Sequence, residues 1–199
     1  MRSNENKYKI DLYKDINESL KLKNSLKKEF KSISKVINLI YSTIKNGKKV
    51  FICGNGGSAA DAQHLSAEFL VRLRPGINRK PYPLISLALD TSTLTACGND
   101  YNFKYIFSRN LEALGDEKDT LICISTSGNS PNILEVLKKS KRKKINSISL
   151  LGFNGGKAKK ISDFSIVVKN RNVARIQECH IFLGYFILQK VEEMLIKNS

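Results

Sequence analysis

The sequence predicts an α/β fold, with one parallel sheet of five strands flanked by helices in three layers and preceded by an N-terminal helical extension. Three observations carry this. From Lys49 onward, short apolar runs alternate with helical stretches, the pattern of a parallel sheet covered on both faces. The 199 residues suffice for about one domain with a sizeable core. A hydrophobic fraction of 41% beside 26% charged residues excludes wholesale disorder.

The extension, residues 1–46, carries apolar side chains at helical spacing: Ile10, Leu12, Ile16 and Leu20, then Phe30, Ile33, Val36, Ile37 and Ile40. This predicts two helices with a break near residues 21–25 and a stop at Asn46-Gly47. So long an amphipathic preface, with few core partners of its own, is expected to pack against another subunit. The domain proper, residues 47–199, offers strands at 50–53, 84–89, 120–125, 147–151 and 164–168. Helices are expected at 58–73, 91–96, 103–114, 131–141 and 173–197. In such sheets ligands bind outside the carboxyl ends of the strands.

Two strand exits and one helix hold the chemistry. The first strand leaves through Cys53-Gly54-Asn55-Gly56-Gly57-Ser58 straight into a helix. Glycines let the backbone approach a ligand, and the helix start offers free N–H groups. The turn matches neither a Walker A loop nor GxGxxG, and it suits a tight connection as well as a ligand loop. The third strand leaves through Ser125-Thr126-Ser127-Gly128-Asn129-Ser130-Pro131. Ser130 is placed to cap the next helix and Pro131 to open it. Four hydroxyls in six positions exceed one cap's needs, which favours a phosphate held by hydroxyls and helix dipole. On the helix after the first loop, His64 and Glu68 share a face at i, i+4. That pair is either a surface ion pair or a metal and proton-transfer site. The scarcity of histidine, with only His180 besides, tilts it to the latter.

Charge and cysteines narrow the classes. The net charge is +16, yet only eight of the 34 basic residues are arginines. Nucleic-acid readers lean on arginine, so the lysine excess reads as a solvated surface and no nucleic-acid partner is expected. The four cysteines show no CxxC or zinc-finger spacing and are expected as reduced thiols. No apolar run reaches the roughly 18 residues of a membrane span, and the polar N-terminus lacks a signal peptide's apolar stretch. A cytoplasmic protein without membrane attachment is expected.

The segments CGNGGSAADAQHLSAEF, ACGNDYNF, ISTSGNSPNIL and RIQECHI, in that order, resemble the sugar isomerase (SIS) domain and specifically the phosphoheptose isomerase family. The resemblance implies a single SIS domain with a flavodoxin-like three-layer sandwich. It also implies sugar contacts from Asn55, Gly56, Gly57 and Ser58, further substrate contacts from Asn99 and Asp100, and a phosphate cradle of Ser125, Thr126, Ser127 and Ser130. His64, Glu68 and Gln177 match zinc-ligating positions. Glu68 also matches the catalytic base and, with Gln177, contacts substrate. The implied activity is isomerisation of sedoheptulose 7-phosphate to D-glycero-D-manno-heptose 7-phosphate through an enediol, in a homotetramer whose active sites lie at subunit contacts.

One position departs from the family. The isomerases carry a further His five residues after the His of RIQE-x-H, where this chain has Tyr185. That His is a zinc ligand and proton-transfer group; a phenol, with a pKa of roughly 10, is a weak acid and a poor ligand. Tyr185 is either a proton-handling catalytic residue or a packed aromatic. A non-catalytic relative, similar to the SIS protein that associates with the initiator DnaA, is the alternative reading. That relative also lacks the glutamate that this chain keeps as Glu68.

Overall fold

The structure, a computed structural model, describes residues 2–88 and 90–197. Strands β1 (Val50–Gly54), β2 (Leu84–Ser86), β3 (Thr120–Ser125), β4 (Asn146–Gly152) and β5 (Phe164–Val168) form one sheet in the order β2-β1-β3-β4-β5. Every neighbouring pair is parallel. The strand order reverses between β1 and β3, which pair with Cys53 opposite Cys123. At such a switch point the flanking connections leave to opposite sides, so a crevice opens above the two carboxyl ends.

The pleat sorts the core into two layers, because successive strand residues face opposite ways. Val50, Ile52, Ile122, Ile124, Ile148 and Leu150 meet α2 (Phe30–Lys45), α3 (Gly57–Leu70) and α8 (Val173–Lys197). Phe51, Cys53, Leu121, Cys123 and Leu151 face α4 (Thr91–Asp100), α5 (Ile106–Leu114), α6 (Pro131–Arg142) and α7 (Ala158–Ile161). All four cysteines are buried free thiols. Among the described residues no helix is long and apolar enough to cross a membrane.

Several boundaries differ from expectation for local reasons. The first helix, α1 (Arg2–Ser25), runs through the predicted break, which falls instead in a 3-10 turn at Leu26–Glu29. Buried Leu22 and Leu26 hold that end against the core. Strand β2 stops at Ser86, whose hydroxyl accepts the Ala88 N–H at 3.2 Å and turns the chain; Leu89 lies outside the described residues. Helix α3 ends at Leu70 because Arg79 donates to the carbonyls of Glu68 and Phe69. The predicted 103–114 helix begins as a 3-10 turn, Phe103–Tyr105, with the Asn102 side chain accepting from Lys104 N–H.

The two halves of the extension behave differently. Val36, Ile37 and Ile40 of α2 lie in the same core layer as the sheet. On α1, by contrast, Ile10, Leu12, Ile16 and Leu20 are all exposed in the single chain. Polar ties moor it to α8 and the segment before it: Ser19 to Glu178, Glu18 to Asn170 and Asp15 to Arg175.

Candidate active site

The crevice at the switch point is built from both predicted loops. Gly56 sits at φ +55°, ψ −123°, backbone that an L side chain resists, and this sharp turn starts α3 directly at the sheet edge. Across the crevice Ser130 stands at the start of α6 with Pro131 behind it. Ser130 holds the expected N-cap position, but its hydroxyl makes no capping bond. The cause lies next door, since the Asn132 carboxamide oxygen takes the Ile133 N–H instead. Ser125 accepts the Gly128 N–H and Ser127 accepts the Asn129 N–H, both at 3.1 Å, which folds the loop back upon itself. The hydroxyls of Thr126 and Ser130 remain uncommitted among the described residues.

Asn132 was not anticipated from sequence. Its amide exchanges two hydrogen bonds with Asn55, at 2.8 and 2.9 Å, and locks the glycine turn to the hydroxyl loop. Two amides placed just past the two strand exits were the available signal. Lys169 and Arg171, on the exit from β5, were also missed. With Ser127 and Asn129 they line a cavity of about 570 Å³, bringing cations beside a loop that has none of its own.

The predicted sugar and metal positions divide. Ser58 turns inward and is buried. Asn99 and Asp100 are exposed at the end of α4 and bond to each other, not to the crevice loops. Gln177 lies against the start of α3, where a Cβ on Gly57 would come 2.5 Å from its amide nitrogen. His180, the other histidine, is fully buried and neither ring nitrogen has a hydrogen-bond partner. Burial lowers its pKa to about 4, only partly offset by the nearby backbone of Leu151, so it is neutral near pH 7.

His64, Glu68 and Tyr185 do converge. Helices α3 and α8 approach closely where Gly184 faces Leu65, since any side chain on Gly184 would collide with that leucine. The next residue, Tyr185, therefore reaches across to α3. Its hydroxyl donates to Glu68 Oε1 at 3.0 Å and lies 2.5 Å from His64 Nε2, with the two rings edge to face. A phenol already donating to a carboxylate accepts from the imidazole, so the network sets His64 as the Nε2–H tautomer. Burial, then the Glu68 hydrogen bond and charge, push the Tyr185 pKa up. The phenol therefore stays protonated at neutral pH. Asp61, one turn earlier on α3, is half-buried, with one carboxylate oxygen unpartnered and its pKa raised by burial.

Zinc sites use Cys, His, Asp or Glu side chains. Among the described residues no three such side chains gather to hold a metal ion. His64 and Glu68 are joined by a neutral phenol, and Gln177 adds only a neutral amide. The residues present do not fit a zinc site.

A parallel sheet with a glycine turn and a hydroxyl-rich loop facing each other at the switch point is the architecture of a SIS domain, and the SIS domain family matches residues 13–152. The closer relationship follows from whole-chain comparison. A phosphoheptose isomerase of Campylobacter concisus is 48% identical over 86% of this chain and 95% of its own length. One from Clostridium acetobutylicum is 44% identical over 90% and 92%. The phosphoheptose isomerase structure from Neisseria gonorrhoeae superposes with a TM-score of 0.87 at 35% identity, covering 94% of this chain and 99% of that one. The chain belongs to the phosphoheptose isomerase family.

Proposed function

We propose that the chain is an aldose–ketose isomerase that converts sedoheptulose 7-phosphate to D-glycero-D-manno-heptose 7-phosphate, a precursor for lipopolysaccharide or capsule heptose. The observation that carries this reading is the Glu68 carboxylate held by the Tyr185 hydroxyl, with His64 on the other side of the phenol. A module that only bound sugar phosphate would need the hydroxyl loop but no oriented base. The substrate phosphate sits on Ser125, Thr126, Ser127 and Ser130 at the start of α6, where unpaired N–H groups and the helix dipole favour an anion. Lys169 and Arg171 add to the local positive potential. Asn55, Gly56 and Gly57 hold the sugar hydroxyls.

Glu68 removes the C1 proton of the ketose and returns it to C2, passing through an enediol. The charge that develops on the C2 oxygen needs a donor placed in advance, and Tyr185 is the nearest one to Glu68. The exposed apolar stripe of α1 is covered by a second copy, consistent with a cytoplasmic homotetramer in which Asn99 and Asp100 reach a shared site. Neither nucleic acid nor membrane enters this reading. Incubating purified protein with sedoheptulose 7-phosphate and following the aldose by NMR is the test. Binding without conversion, at any metal concentration, would leave the regulatory alternative standing.

A further inference from the structure

We propose that the Tyr185 hydroxyl occupies the place of a metal ion, so that Tyr185 and Glu68, with His64 positioning the phenol, form a metal-independent proton relay. The proposal rests on the isomerase reading for its chemistry, but its geometry is independent of it. His64 Nε2 and Glu68 Oε1 lie 3.6 Å apart, and the phenol oxygen touches both, at 2.5 and 3.0 Å. Zinc binds such atoms at about 2.0–2.2 Å. On the side facing Tyr185, a cation at those distances from both would fall about 1 Å from the phenol oxygen, inside its van der Waals shell. The ion and the hydroxyl therefore compete for one position. The hydroxyl is held there by the close packing of Gly184 on Leu65.

A hydroxyl in that position supplies what isomerisation requires. When the ketose binds, Tyr185 turns its O–H from Glu68 to the C2 oxygen, which frees the carboxylate to act as base. Glu68 then takes the C1 proton as the C1–C2 double bond forms and the C2 carbonyl opens. Tyr185 gives its proton to the C2 oxygen and receives the proton of the C1 hydroxyl. Glu68 delivers its proton to C2 as the C1 oxygen becomes the aldehyde. Tyr185 and Glu68 end as they began, and no oxidant, reductant or ion is consumed. His64 donates to the phenol oxygen throughout and acts as a positioning residue.

The test compares wild type, Tyr185→Phe and Tyr185→His as full-length proteins. Zinc uptake is read by calorimetry, and conversion of sedoheptulose 7-phosphate is read after EDTA dialysis. Wild type should take up far less than one zinc per chain and keep its activity, within about twofold, after EDTA. Tyr185→Phe should lose roughly 10²-fold or more in turnover with affinity for sugar phosphate retained. Tyr185→His should gain stoichiometric zinc. One tightly held zinc per wild-type chain, or activity abolished by EDTA and restored by zinc, overturns the proposal. If no form converts the substrate, the isomerase reading fails, while zinc titration still decides who occupies the position.

Discussion

Replacing Glu192 with glutamine should expose how the catalytic helix is anchored. Glu192 is fully buried, yet it accepts from Arg74 Nε and Arg79 Nε, each at 2.7 Å. Arg79 is itself only 3% exposed. It lies over the Phe69 and Tyr82 rings and donates to the carbonyls of Glu68 and Phe69. The glutamine variant keeps the volume, so no cavity opens, but it leaves a guanidinium in the interior without its anion. Breaking a buried pair from one side costs about 3–5 kcal/mol. The remaining amide oxygen still accepts one bond, which places this case near the lower end. At about 2–4 °C per kcal/mol for a chain of this size, Tm should fall by about 6–12 °C. Buried pairs are little screened by salt, so the drop should persist in high salt. Scanning calorimetry of both proteins at low and high salt is the assay. A loss under about 2 °C, or one that vanishes in salt, would refute the argument.

Other outcomes follow from the same contacts. The double change Ser125→Ala and Ser127→Ala should weaken sugar-phosphate binding by at least tenfold, and should lower Tm modestly because the Gly128 and Asn129 N–H groups lose their acceptors, as isothermal titration and a melt would show. Gly184→Val should force α8 away from α3 at a cost of about 1–3 kcal/mol from overpacking. It should also reduce turnover by more than that loss of fold explains, since Tyr185 would leave His64 and Glu68. His180 titrates near 6.5 when unfolded and about 4 when folded, so between these values the unfolded chain binds more protons. Stability should therefore fall as pH drops from about 6.5 to 4, by about 3 kcal/mol in total. Denaturant melts of His180→Phe should show a shallower acid slope; an unchanged slope would place the acid sensitivity elsewhere.

The sheet was legible because its strands are apolar on both faces, so their runs mark them without help from tertiary context. The turn at Gly54–Gly57 and the hydroxyl loop were legible because strand exits need unusual residues in either reading. Helix ends were less so. The end of α3 depends on Arg79 and through it on Glu192, more than a hundred residues away, which no local pattern reveals. Asn132 escaped because an amide near a helix start looks like capping until its partner Asn55 is seen. Tyr185 could be recognised as a departure, yet its packing against the core and its hydroxyl's reach to Glu68 and His64 both depend on α8 closing on Leu65 at Gly184. The helical spacing of α1 was legible too, and its Ile10, Leu12, Ile16 and Leu20 stay exposed in the single chain.

In the proposed reaction Glu68 moves a proton between C1 and C2, and NMR in deuterated solvent reads that step directly. Wild-type protein and Glu68→Gln are each mixed with sedoheptulose 7-phosphate in D2O, and proton NMR follows deuterium entering C1 of the ketose and C2 of the aldose. Wild type should form the aldose, with deuterium at C2 in those turnovers where the Glu68 carboxyl proton exchanges with solvent before it is returned. Glu68→Gln should bind the substrate yet exchange slower by roughly two to four orders of magnitude. Conversion or exchange at the wild-type rate in the glutamine variant, or wild-type protein that binds the ketose with neither conversion nor exchange, would contradict this assignment.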